Sequence, residues 1–162
     1  MEPPRTLAMQ SPVALSGRYA NRGLCYSSAE NHPLEDYLEV TVGMTPYSSR
    51  PGDILVIRAT EESLSFSSFD AGHVVREKTL KRNVDYRVVD GGVEFTWVSE
   101  GSGGEGNLST KVTTRLLLGL EQDGTLLIKA HEDIRGLGGI LFPWPYHDTC
   151  DLWSEFKKEA NQ

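Results

Sequence analysis

Between Ile54 and Trp144 no stretch of ten residues carries a helical period, and this constrains the fold more than any other feature of the chain. The segment is instead a succession of β-rich runs set close together. Ile54 to Thr60 and Ser63 to Phe69 are divided by Glu61-Glu62, and His73 to Lys81 follows Asp70-Ala71-Gly72. Val84 to Val89 comes after Arg82-Asn83, and Val93 to Ser99 after Asp90-Gly91-Gly92. Thr110 to Leu120 and Thr125 to Glu132 flank Gln122-Asp123-Gly124, and a last run covers Gly138 to Trp144. Asp-Gly between two such runs is a hairpin signal, because these residues accept the positive φ of primed turns. Within the runs apolar and polar residues alternate. Val84, Tyr86 and Val88 oppose Asp85 and Arg87, and Val93, Phe95 and Trp97 oppose Glu94 and Thr96. Parallel strands need long crossovers, which have no room here, so the sheet is antiparallel. With an opening strand from Leu15 to Asn21, the runs predict an all-β, antiparallel up-and-down barrel of about eight strands. Closure removes the edges that a flat meander leaves exposed.

Two short helices are expected beside the strands. Pro33 to Leu38 places Pro in a first turn, with Leu34, Tyr37 and Leu38 on one side. Asp151 to Lys158 begins on a capping Asp, gathers Leu152, Trp153 and Phe156, and ends on two lysines. Residues 1–13 read as a disordered leader and 14–162 as a single domain, with the Gly-rich segment Gly101 to Asn107 as its most flexible internal loop.

Sixteen basic against 23 acidic residues give a net charge of −7, which disfavours a phosphate-binding surface and hence nucleic acid as a partner. The apolar runs, such as Leu116-Leu117-Leu118, are too short to span a bilayer as a helix. Residues 1–12 lack the apolar core of a secretory signal. An extracytoplasmic location is thus expected where a signal segment has been removed, and a cytoplasmic one otherwise.

Few motifs carry chemistry. His147-Asp148-Thr149-Cys150 crowds a histidine, an acid and a thiol together, but no cation lies beside the thiol to favour its thiolate. A metal site at this point would need Cys25 and His32 as further ligands, and no Cys-x-x-Cys or His-x-x-x-His spacing is present; no metal or cofactor is expected. Gly101 to Gly106 lacks the Lys-Ser/Thr that follows a phosphate loop. Cys25 and Cys150 lie near opposite ends of the folded part, and read either as a disulfide tying the tail to the first strand or as two unpaired thiols. Phe142-Pro143-Trp144-Pro145-Tyr146 is an aromatic cluster stiffened by prolines, suited to packing over a barrel mouth or to meeting a ligand.

Gly17-x-Tyr19 at the start of the first strand, within Leu15-Ser16-Gly17-x-Tyr19-x-Asn21, together with the run of hairpins, resembles the lipocalin-like (calycin) barrels, in particular small bacterial extracytoplasmic lipoproteins of unknown function. The resemblance implies that Gly17 and Tyr19 close one end of the barrel, the Tyr19 hydroxyl staying near water, with Arg135 or Arg115 packed on the ring. It also implies a non-enzymatic binding module that holds an apolar small molecule or lipid. The aromatic residues placed around such a ligand are Tyr37, Phe66, Tyr86, Phe95, Trp97 and Trp144. The alternative is a protein-interaction or inhibitor module of the cell envelope, using the loops Gly101 to Asn107 and Ser48 to Asp53. The implied setting is the periplasm or an outer-membrane lipoprotein.

Overall fold

The computed structural model describes residues 9–25, 31–33, 53–101, 107–138 and 144–159. Among them the chain is nearly all β. A short 3-10 helix, Pro12–Leu15, is followed by β1 (Gly17–Ala20), β2 (Arg22–Cys25), β3 (Asn31–Pro33), β4 (Ile54–Ala59), β5 (Ser63–Asp70) and β6 (His73–Lys81). Then come β7 (Arg87–Val89), β8 (Gly92–Gly101), β9 (Asn107–Leu120), β10 (Leu126–Gly138) and β11 (Trp144–Phe156). They form two antiparallel sheets, one in the order β1-β4-β5-β6 and one in the order β3-β2-β11-β10-β9-β8-β7. No helix among the described residues is long and apolar enough to cross a membrane.

The hairpins follow the turn chemistry. Ala71 and Gly72, both at positive φ (46° and 83°), turn β5 into β6, where a bare Gly backbone removes the usual steric cost. Two expectations change. Asp151 to Phe156 is not a helix: it completes β11, whose ladder with β10 runs unbroken from Leu126↔Phe156 to Gly138↔Trp144. In that stretch Leu152, Ser154 and Phe156 alternate with Asp151, Trp153 and Glu155, so the period of two prevails once β10 offers a row of hydrogen-bonding partners. Of the run expected over Gly138 to Trp144, Gly138 ends β10 and Trp144 begins β11, and residues 139–143 lie outside the described part. The run from Val84 is broken by a turn at 83–85, where the backbone N–H of Lys81 donates to Asp85 Oδ2 and Val84 is 78% exposed, leaving only Arg87–Val89 as strand. Pro33 ends β3, and residues 34–38 of the expected first helix lie outside the described part. Met9 and Pro12, assigned to a leader, are buried, and Met9 pairs with Gly91.

The inner faces of the two sheets share one core. Leu55, Ile57, Leu64, Phe66 and Leu80 from the smaller sheet meet Val93, Phe95, Leu116, Leu118, Leu126, Ile128 and Phe156 from the larger one, with Leu15 and Tyr19 beneath. The sheets are also joined by backbone at one corner. Tyr19 pairs with Lys158, the Ala20 N–H donates to the Lys157 carbonyl (3.1 Å), and the Glu159 N–H donates to the Arg18 carbonyl (2.8 Å). β1 therefore bonds to β4 along one edge and to the continuation of β11 along the other.

A candidate binding face above the core

The long strands β8 to β11 keep one register as far as Leu137, where the β9–β10 ladder shifts, so their inner faces can be followed rung by rung. Phe95, Leu116, Ala130 and Leu152 face one another across the four strands, and Phe95, Leu116 and Ala130 are at least nine-tenths buried. The next rung reads Trp97, Thr114, Glu132, Cys150, and the one after it Ser99, Val112, Ile134, Asp148. Here the packing changes. Thr114 is still buried (4% exposed), Trp97 and Leu152 are half-buried against the core, Glu132, Val112 and Ile134 are half-buried, and Cys150, Asp148 and Ser99 are exposed. Still further along, the Tyr146 hydroxyl meets Thr110 Oγ1 at 2.9 Å across Gly136. In the smaller sheet Ser68 follows Phe66 on the inner face and is 0% exposed, and its Oγ has no hydrogen-bond partner.

The residues expected around a ligand thus divide. Phe66 and Phe95 are core side chains, 0% and 1% exposed, and Tyr86 is buried with its ring 5.9 Å from that of Phe95. Burial raises the Tyr86 hydroxyl pKa above its ordinary value. Trp97 alone of the set stands on the half-buried rung, while Trp144 is 58% exposed at the far end of β11 and Tyr37 lies outside the described residues. Glu132, Val112 and Ile134 are not among the residues expected around a ligand; the run expected over Thr125 to Glu132 stops short of Ile134, whereas β10 extends to Gly138. The extension of the alternation through Ile134 was the available signal.

The end near Tyr19 is built differently from the expectation. Its hydroxyl is buried rather than near water: it donates to the Leu15 carbonyl at 2.9 Å, and burial pushes its pKa up to about 12. The cation over the ring is Lys158, with Nζ 6.0 Å from the ring centroid, and the same Nζ donates to the Ser16 carbonyl at 3.0 Å. The lysine stem crosses Gly17 so closely that a Cβ there would sit 2.5 Å from Lys158 Cε. Arg135 has no part in this. It lies on the outer face of β10, hydrogen-bonded through Nε to Asp133 Oδ1 at 2.8 Å. Arg115 is likewise on the outer face, level with His131.

Alternation along β11 also dismantles the His-Cys cluster. His147 points outward toward Asp133 (3.4 Å), whereas Asp148 and Cys150 point inward, so the thiol and the imidazole stand on opposite sides of the sheet. Cys150 is exposed and forms no disulfide. The Cys25 backbone pairs with Ser154, four residues along β11 from Cys150 and thus roughly 13 Å away at about 3.3 Å per residue, beyond the ~7 Å that a disulfide spans. The outer face instead carries a ladder of pairs: Arg87 with Glu94, Lys111 with Glu100 (3.1 Å), His131 Nδ1 with Asp151 Oδ1 (2.8 Å), and Lys129 5.0 Å from the Trp153 ring centroid. The Arg135 and His147 contacts hold the Asp133 carboxyl below its usual range. No nucleophile is hydrogen-bonded to either histidine among the described residues, and no cluster there could hold a metal.

Two open clefts lie on the larger sheet: one of about 430 Å³ is lined by Asn83, Tyr86, Arg87, Glu94 and Thr96, and one of about 660 Å³ by Glu100, Thr110, Lys111, Arg135 and Leu137. Their charged side chains already pair with one another or with neighbours. Residues 48–52 and 102–106, the bulk of the expected interaction loops, lie outside the described part. No protein-family model matches the chain, and no curated protein or solved structure matches it.

Proposed function

We propose that the chain is a non-enzymatic binding module, a lipocalin-like barrel whose lower half is a filled core and whose inner face above that core receives an apolar small molecule or lipid. The observation that carries the reading is the change between successive rungs: Phe95, Leu116 and Ala130 are packed away, while Trp97, Val112 and Ile134, on the same faces of the same strands, are half-buried. Partly uncovered apolar side chains beside a packed core can line a small-molecule site. The hydrogen bonds of 157–159 to β1 support a wrapped sheet, because they extend the strand order past the boundary between the two sheets. The separation of His147 from Cys150 removes the arrangement that favoured an enzyme. The resemblance to envelope lipoproteins supports an extracytoplasmic setting.

Titration with N-phenyl-1-naphthylamine tests this. The reading expects saturable binding at about one probe per chain, lost in Ile134→Arg, which places a charge on the upper rungs without touching the packed one. Absence of saturable binding to the folded protein contradicts it. A second reading, an interaction module, draws on Trp144 and Leu137, which are 58% and 41% exposed at the same end of the β10–β11 ladder.

A further inference from the structure

We infer that the molecule received above the core is an organic cation with an apolar body, with Glu132 as its counter-ion and Trp97 as the aromatic face beside the charge. This rests on the binding-module reading and specifies its ligand. Strands β8 to β11 carry carboxylates on both faces. Those on the outer face are matched: Glu94 with Arg87, Glu100 with Lys111, Asp133 with Arg135 and Asp151 with His131. Glu132 has no hydrogen-bond or ion-pair partner among the described residues, although it is half-buried on the inner face, next above Ala130. A partly buried carboxylate with no cation beside it leaves its charge for a ligand to neutralise.

Its surroundings fit such a ligand. Trp97 shares the rung with Glu132, Thr114 lying between them, so the two side chains are spaced across two strand separations, roughly 9 to 10 Å of backbone. An ammonium group set above the buried Thr114 meets a carboxylate on one side and an indole face on the other. Val112 and Ile134 on the next rung supply apolar contact for the rest of the molecule. The net charge of −7 adds a general attraction for cations.

Calorimetric titration with octyltrimethylammonium, octanoate and 1-octanol, which share one chain length, tests the inference. The cation is expected to bind at least about tenfold more tightly than either other probe. Glu132→Gln should weaken the cation about tenfold and leave 1-octanol unchanged, and Trp97→Leu should weaken the cation more than 1-octanol. Near-ultraviolet circular dichroism establishes that each variant is folded, and a variant that is not folded passes its role to the other. If 1-octanol binds as tightly as the cation, or if both folded variants bind the cation as the parent does, the inference is overturned while the binding-module reading stands. If none of the three probes binds, the inference is overturned, and the naphthylamine titration decides whether the binding-module reading falls with it.

Discussion

Replacing Tyr19 by phenylalanine removes one buried oxygen and leaves the ring in place. That oxygen donates to the Leu15 carbonyl at 2.9 Å, and both residues are 0% exposed. With the donor gone, the carbonyl keeps its desolvation cost without a partner, which sets the loss at about 1 to 3 kcal/mol. Taking ~2 kcal/mol, the melting temperature of a chain this size falls by roughly 4 to 8 °C. Urea unfolding followed by tryptophan fluorescence reads the loss directly, provided the m-value is unchanged. The same site has a signature in alkali. Because burial raises the hydroxyl from 10.0 to about 12, the folded state holds a proton that the unfolded state releases first. Its contribution is full below pH 10 and is lost as the pH rises from about 10 to 12, and Tyr19→Phe should remove that part of the decline. A variant that loses less than about 0.5 kcal/mol and keeps the parent's alkaline profile would refute the reasoning, and would place the hydroxyl in water.

Phe95→Ala, at a 1% exposed position, should cost about 3 to 5 kcal/mol in urea unfolding, whereas Trp97→Ala on the next rung should cost clearly less. Gly136→Val should be destabilising by about 1 to 3 kcal/mol, since a Cβ there comes within 2.6 Å of the Ser109 carbonyl oxygen and 2.7 Å of the Tyr146 ring; thermal melting checks it. Asp133→Asn should flatten the acid limb of the stability curve: a carboxyl with a lowered folded pKa stabilises above its unfolded pKa, and that contribution fades as the pH falls through the folded one. Cys150 should react with Ellman's reagent in the native protein, and Cys150→Ser should leave the melting temperature within about 1 °C.

Much of the strand pattern was readable because hairpin turns and alternation are local properties. Asp70-Ala71-Gly72 turns where its residues allow positive φ, and Val93 and Phe95 point inward as the period of two requires. What eluded the sequence depended on partners. Asp151 to Phe156 satisfies helical and strand spacing alike, and only the row of hydrogen bonds along β10 selects the strand. Lys158 on Tyr19 is a contact between the two ends of the described chain, so no window of neighbouring residues announces it. The half-buried rung was hidden for the same reason. Trp97 and Glu132 become neighbours through Thr114, a residue of a third strand, and whether Phe95 or Trp97 ends the packed core depends on how far the facing sheet reaches.

β1 holds the tail of β11 and so joins the two sheets. Native-state hydrogen exchange at the amides of Ala20 and Glu159, the donors of that junction, tests it most directly. If the junction is part of the folded body, both amides exchange only by global unfolding, with the same opening free energy as Leu116 and Ile128 in the core. Exchange of Ala20 and Glu159 at the rate of a fraying terminus, while the core amides stay protected, would contradict the wrapped arrangement and the binding face that depends on it.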